Sequence, residues 1–200
     1  SAGTNRIRIA GIAAAPRGDI KGCTNKGTVE CYARTSDRSA MSKVSGKNYS
    51  VSPGGITGGM MDNGAGDVGM DVINCVNEGD VIVDADVDGN NSTVGGIVSH
   101  PGYEDTSNTN TIENCINRGN IVLSGLMKGR FGGIQGGAGH IIGCANYGNI
   151  SANGINTASP LGGVAGYSSY NFKFEQNICE CSITAQTKVE SVGGLIGAYA

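Results

Sequence analysis

The sequence predicts an all-β fold in which short parallel strands stack as the coils of a β-helix. Three observations lead to this prediction. A ten-residue motif recurs along the chain, a second short motif alternates with it, and glycine makes up 35 of the 200 residues without the period of collagen. No segment sustains the 3.6-residue apolar period of a helix. Two short motifs that alternate over the whole length are typical of a solenoid.

The first motif reads [Ile/Val]-x-x-Cys-x-Asn-x-Gly-x-[Ile/Val], which specifies five positions. Four segments match it, residues 20–29, 72–81, 112–121 and 141–150, and a degenerate fifth copy at 174–183 lacks the Asn-x-Gly and carries a second cysteine. Successive cysteines of the four full copies are 52, 40 and 29 residues apart. We take the shortest separation as near the bare unit, which holds roughly three short strands, and the excess as loop insertions.

The second motif reads Gly-Gly-[Ile/Val/Leu] and alternates with the first. Its copies begin at Gly54, Gly95, Gly132, Gly162 and Gly193, and a partial version spans residues 10–12. The sequence thus starts and stops in the same phase of the repeat. We therefore expect residues 1–200 to be a single β-solenoid array of about five coils, cut from a longer protein.

Parallel coils stack at a spacing of ~4.8 Å, so each motif position faces its own copy in the next coil. The predicted ladders are Cys23, Cys75, Cys115 and Cys144; Asn25, Asn77, Asn117 and Asn146; and Gly27, Gly79, Gly119 and Gly148. Cysteine is among the most buried residue types, and no histidine is in register with the column. We expect the cysteines to be buried, unreactive and reduced. We expect the asparagines to hydrogen-bond along the stack and the glycines to supply positive φ.

The position between the asparagine and the glycine runs Lys26, Glu78, Arg118 and Tyr147. Stacked coils would place these side chains in one exposed column in which the sign of the charge alternates. Such pairs contribute only ~0–1 kcal/mol each, but they disfavour a slipped register.

The segment around Asp84, Asp86 and Asp88 matches the start of a calcium-binding loop, because acidic residues occupy positions 1, 3 and 5 and a glycine position 6. Position 12, however, is Gly95 instead of the usual glutamate. The alternative is a strand with its acidic residues turned outward, followed by a turn. Calcium is the sole cofactor candidate, since neither HExxH nor a phosphate-binding glycine loop occurs. His100 and His140 stand alone and are expected in surface loops.

Composition excludes two classes of partner. A net charge of −3 and a pI near 5.3 argue against nucleic acid. No run of apolar residues is long enough to cross a membrane.

The stretch Gly193-Gly194-Leu195-Ile196-Gly197, alternating with Cys-x-Asn-x-Gly, resembles the GLUG-motif repeats of bacterial surface and adhesin-like proteins. The resemblance covers nearly the whole chain, from about Ala10 to Gly197. It implies an extracellular, cell-surface location and a role as scaffold or adhesion module. It supplies no catalytic residues.

These expectations describe a non-catalytic repeat scaffold whose loops bind a glycan or matrix protein. Recognition concentrates on loops held by a rigid frame, so the candidates are the insertions Cys31 to Ser52, His100 to Asn110 and Tyr167 to Phe172. Their aromatic residues Tyr103, Tyr167 and Tyr170 could stack on sugar rings. One alternative is a purely structural stalk. Another is a polysaccharide-degrading enzyme, which would need acidic or basic residues clustered from adjacent coils.

Overall fold

The computed structural model describes residues 5–33, 49–60, 70–87, 92–100, 110–137, 139–154, 159–169, 171–186, 189 and 191–199. Every strand pair in these segments is parallel, and successive strands of each sheet come from successive coils. The predicted all-β parallel β-helix is therefore confirmed. None of the described segments forms a helix that could cross a membrane.

The first three coils contain twelve strands. Coil 1 has β1 (Asn5–Ala10), β2 (Ile20–Lys21), β3 (Thr24–Asn25) and β4 (Val29–Ala33). Coil 2 has β5 (Tyr49–Gly54), β6 (Val72–Ile73), β7 (Val76–Asn77) and β8 (Val81–Ala85). Coil 3 has β9 (Ser92–Gly95), β10 (Thr111–Glu113), β11 (Ile116–Asn117) and β12 (Ile121–Ser124).

The remaining strands continue the same order. Coil 4 has β13 (Gly129–Gly132), β14 (His140–Ile142), β15 (Ala145–Asn146) and β16 (Ile150–Asn153). Coil 5 has β17 (Leu161–Gly162), β18 (Ala165–Ser168), β19 (Phe174–Glu175), β20 (Ile178–Cys179) and β21 (Ile183–Ala185). The strands β22 (Val192–Gly193) and β23 (Ile196–Tyr199) begin a further turn.

The strands stack into four long sheets. The first sheet runs β1-β5-β9-β13-β17-β22 and the second runs β2-β6-β10-β14-β19. The third runs β3-β7-β11-β15-β20 and the fourth runs β4-β8-β12-β16-β21, while β18 and β23 pair separately. A coil thus has four strand positions where the rough estimate from unit length was three. The difference arises because the Cys motif bends, so that its start lies in the second sheet, its asparagine in the third and its last residue in the fourth.

The bend lies at the residue before the motif cysteine. That position holds Gly22, Asn74, Asn114, Gly143 and Gln176, whose φ values lie between 52° and 64°. Glycine and asparagine are the residues that most readily adopt this left-handed conformation. The motif position that needs positive φ is therefore the one before the cysteine, which the sequence motif leaves unspecified.

Two thin apolar cores run along the stack. One lies between the first and fourth sheets and contains Val83, Leu123 and Phe131. The other joins the isoleucines of the Gly-Gly-Ile motifs, such as Ile97, to the second sheet and the cysteines. Small branched residues fill both cores, which explains how a chain with three Phe and no Trp builds a continuous interior.

After each Gly-Gly-apolar motif the chain folds back over the outer face of the first sheet. This fold-back segment makes its own ladder, in which Thr57, Val98, Gln135 and Ala165 pair in sequence. The next residue in coil 4 is Gly136, where an added methyl group would lie 2.6 Å from the carbonyl oxygen of Arg130. A glycine is required here because the two backbone layers touch.

Gln135 is the unfavourable member of this ladder. Its side chain is fully buried, and neither carboxamide atom has a hydrogen-bond partner among the described residues. A buried unpartnered polar group costs roughly 1–3 kcal/mol. We expect Gln135→Met, which has a similar volume, to raise the free energy of unfolding by about 1–2 kcal/mol in urea denaturation.

Thr57→Val is the matched control for this prediction, since Thr57 occupies the same ladder. Its hydroxyl donates to the Gly59 carbonyl at 3.4 Å and accepts from the Gly59 amide at 3.3 Å. Thr57→Val should therefore lower stability by about 1 kcal/mol. A loss of stability in Gln135→Met comparable to that control would contradict the assignment of Gln135 as a destabilising residue.

Candidate functional site

The cysteine ladder is structural. Cys75, Cys115 and Cys144 are buried, and Cys23 at the end of the stack is half-buried. The backbone N–H of Cys75 donates to Sγ of Cys115 at 3.4 Å, and that of Cys115 donates to Sγ of Cys144 at 3.4 Å. The predicted burial is confirmed for these three residues. Each sulfur occupies the space between coils and receives a backbone proton.

The environments of the buried Cys31 and of Cys75 suppress thiolate formation. Burial raises the pKa of Cys31 to about 11. The neighbouring Cys115 thiol and then burial raise the pKa of Cys75. Since the thiolate is the nucleophilic form, Cys31 and Cys75 are unsuited to covalent catalysis near neutral pH. The hydrogen bond with Cys115, by contrast, lowers the pKa of Cys144.

The degenerate fifth copy exchanges the cysteine and the asparagine. Asn177 takes the cysteine position and accepts the backbone N–H of Cys144 at 2.9 Å. Cys179 takes the asparagine position, in register with Asn146, and forms a disulfide with Cys181. The ladder cysteines Cys23, Cys75, Cys115 and Cys144 are free, as expected, and Cys31 is free as well; the disulfide forms outside the ladder. The reason is proximity, because the two cysteines flank a single residue in the turn.

Thiol counting tests this arrangement. Denatured protein should react with five equivalents of a disulfide reagent such as DTNB. Native protein at pH 8 should show at most one fast equivalent, from half-buried Cys23. Mass spectrometry of alkylated peptides would identify the residues. Seven reactive thiols after denaturation would exclude the disulfide, and fast labelling of Cys75 would exclude the buried ladder.

The asparagine ladder is a continuous hydrogen-bonded column. Nδ2 of Asn25 donates to Oδ1 of Asn77 at 2.8 Å, Asn77 to Asn117 at 2.8 Å, and Asn117 to Asn146 at 2.7 Å. The second Nδ2 proton of each goes to the carbonyl oxygen two residues ahead, for example Asn117 to Gly119 at 2.8 Å. All four side chains are buried. The predicted role of these residues as a turn ladder is confirmed.

The glycine column serves a different purpose from the one predicted. Gly27, Gly79, Gly119 and Gly148 do not have positive φ. Instead, a methyl group on Gly79, Gly119 or Gly148 would overlap the carbonyl oxygen of the glycine in the preceding coil. The absence of a side chain, and not conformational freedom, is what this position requires.

The exposed column between these two ladders forms as predicted. Lys26 Nζ lies 3.4 Å from Glu78 Oε2, and the guanidinium of Arg118 lies 5.3 Å from the ring centroid of Tyr147. The first contact is an ion pair and the second a cation–π interaction. Both contacts are exposed and contribute little stability. They form only when the coils stack in the native register, so they favour that register over a shifted one.

The calcium hypothesis remains a prediction. Asp84 lies on β8, Asp86 follows it and accepts the backbone N–H of Leu126 at 2.7 Å, and Asp88 lies outside the described residues. The carboxylate of Asp86 thus bonds to the next coil. No group of three potential metal ligands occurs within the described part of the chain.

The first insertion is shorter than the range expected from the sequence, Cys31 to Ser52. Cys31 belongs to β4 and Ser52 to β5, so residues 34–48 are the part outside the described segments. Tyr167 lies on β18 and is half-buried, with the guanidinium of Arg130 at 4.0 Å from its ring centroid. Tyr103 and Tyr170 lie outside the described residues.

Two insertions begin and end at neighbouring positions of adjacent coils. Residues 61–69 follow Met60, whose backbone N–H donates to the carbonyl oxygen of His100 at 2.9 Å, and residues 101–109 follow His100. At the other end, the N–H of Met70 donates to Oδ1 of Asn110 at 2.6 Å. The two insertions therefore start from one hydrogen-bonded pair and end at another.

The histidines differ in environment. His140 Nδ1 accepts the N–H of Lys173 at 2.9 Å. His100 lies on the fold-back segment, and burial, followed by the charges of Arg6, Arg8 and Arg130, lowers its pKa to about 3. It is neutral at physiological pH.

Sequence reasoning missed Arg6, Arg8 and Arg130. Arg8 pairs in register with Ser52, and Arg130 with Thr93 in the strand next to Ser52, so the three arginines share the outer face of the first sheet. We call Arg6, Arg8 and Arg130 the arginine row. The alternation of arginine and isoleucine in residues 6–9 was the available signal for the first two.

No family model, no curated protein and no solved structure matches this chain.

Proposed function

We propose that the protein is a non-catalytic β-solenoid scaffold of a bacterial cell surface, which displays loop insertions for adhesion to a glycan or matrix protein. The observation that carries this proposal is the pairing of insertion ends in neighbouring coils. The contacts of Met60 with His100 and of Met70 with Asn110 hold both ends of residues 61–69 next to the ends of residues 101–109. A hydrogen-bonded base that anchors two insertions beside each other is suited to recognition.

The use of the repeat side chains supports a non-catalytic role. The motif cysteines and asparagines are engaged between coils, and Asp86 and Asp80 accept backbone N–H groups of the next coil at 2.7 Å. Side chains that bond from one coil to the next hold the stack together, which favours a structural role for them. The GLUG resemblance adds the expectation of an extracellular location.

A binding screen tests the proposal. The chain would be applied to an array of glycans and matrix proteins with and without calcium, and each spot checked for cleavage products. One variant replaces residues 101–109 with a four-residue Gly-Ser linker. A matched control shortens 34–48, which connects different strands and leaves β4 and β5 intact.

Saturable binding that is lost only in the 101–109 variant would support adhesion through the paired insertions. Loss in the 34–48 variant alone would move the site to that insertion. Binding that requires calcium would add Asp84, Asp86 and Asp88 as ligands. A blank array would favour the structural stalk, and cleavage products would make the protein an enzyme.

A further inference from the structure

The arginine row concentrates positive charge on one strip of a protein with net charge −3. Arg6 and Arg8 come from coil 1 and Arg130 from coil 4, and all three are half-buried. Three strand spacings separate Arg8 from Arg130, so the row extends about 14 Å along the stack. The three charges act together on one imidazole, that of His100.

Buried hydroxyl groups lie between the arginines and hydrogen-bond to one another. Ser52 Oγ lies 3.1 Å from Thr93 Oγ1, which lies 3.0 Å from Ser99 Oγ. Arg6 Nε donates to Ser50 Oγ at 3.4 Å. The donors that can recognise sulfate and carboxylate oxygens here are therefore the half-buried guanidinium groups.

The position of Arg8 gives an independent indication of a ligand. Its Nε is buried and has no hydrogen-bond partner among the described residues. A methyl group at Gly59 would lie 3.1 Å from this nitrogen and 3.7 Å from Cβ of His100, so the glycine makes room for the Arg8 side chain beside the histidine. A buried donor of this kind requires an acceptor, and none of the described residues supplies one.

We propose that the arginine row binds a polysaccharide that carries sulfate or carboxylate groups. A polymer fits better than a single small anion because the charges are spread over several coils. Nucleic acid fits less well, since Arg130 already covers the ring of Tyr167, so this aromatic ring is not open to a base. The inference rests on the proposed adhesive function and specifies its ligand class.

The test uses isothermal titration of the chain with dextran sulfate, polygalacturonate, neutral dextran and single-stranded DNA. We expect binding of one or both acidic polysaccharides, no binding of neutral dextran, and weakening as salt rises. The double variant Arg8→Gln/Arg130→Gln should weaken binding at least tenfold. The control Arg17→Gln/Lys173→Gln removes the same charge from two exposed positions and should change affinity less than twofold.

A second measurement avoids dependence on folding of the variant. Wild-type chain is treated with phenylglyoxal, and the modified arginines are identified by mass spectrometry. Acidic polysaccharide should protect Arg6, Arg8 and Arg130 and leave Arg17 reactive.

Equal modification of the three arginines with and without the polymer would overturn the inference. So would DNA that binds as tightly as the acidic polysaccharides, or two double variants that weaken polysaccharide binding equally. If the acidic polymers fail but the array reveals another ligand, only the ligand class is wrong. If the array is also blank, the adhesive function fails with it.

Discussion

Gly119→Ala is expected to disrupt coil stacking and lower the free energy of unfolding by about 4 kcal/mol or more, or to prevent folding. The added methyl group would overlap the carbonyl oxygen of Gly79 in the preceding coil and come within 3.1 Å of Asn77 Nδ2. The obstructing atoms of Gly79 belong to the backbone and cannot rotate away, so coils 2 and 3 would have to separate. Urea denaturation followed by circular dichroism measures the change.

Gly27→Ala is the matched control, because it occupies the same motif position in coil 1. There the new methyl group would be 3.8 Å from Asn25 Oδ1, an ordinary contact. Neither glycine has positive φ, so we expect a change within about 1 kcal/mol, and alanine could even stabilise by restricting the unfolded chain. Similar losses at both positions would mean that the position needs conformational freedom instead of close approach.

Asn117→Ala is expected to lower stability by about 3–5 kcal/mol, the second-largest effect. It removes the acceptor of Asn77 Nδ2, the donor to Asn146 Oδ1 and the donor to the Gly119 carbonyl. The groups left behind, on Asn77, Asn146 and Gly119, are all buried. Hydrogen exchange of the amides in β7, β11 and β15 would show whether the loss is confined to this corner.

Asn25→Ala provides the comparison at the end of the ladder. Asn25 has one asparagine neighbour, Asn77, and its other side-chain bonds are to Gly27 in an exposed turn. We expect a loss of only about 1–2 kcal/mol. Equal losses for the two substitutions would contradict a ladder in which each interior asparagine serves two coils.

Residues inside the motifs were placed correctly from the sequence, because in-register parallel stacking turns a recurrence along the chain into a contact in space. The asparagine column and the Lys26–Glu78 pair follow directly from this rule. The exchange of Asn177 and Cys179 could also be predicted from the sequence. Aligning residues 174–183 with 141–150 places Asn177 opposite Cys144 and Cys179 opposite Asn146.

Features that depend on the distance between backbones were not accessible from the sequence. A glycine column is equally consistent with positive φ and with close approach, and the contact between Gly119 and Gly79 distinguishes the two. The division of each Cys motif between the second and third sheets likewise depends on backbone angles at Asn74 and Asn114.

Periodicity alone therefore specifies the all-β parallel stack, its five coils and the identity of its internal ladders. The arginine row depends on the fold, because Arg8 and Arg130 lie in different coils and outside both motifs. The register of the first sheet aligns them, and the fold-back segment brings His100 beside them. A repeat determines which equivalent residues meet, whereas contacts between non-equivalent residues require the path of the chain around each coil.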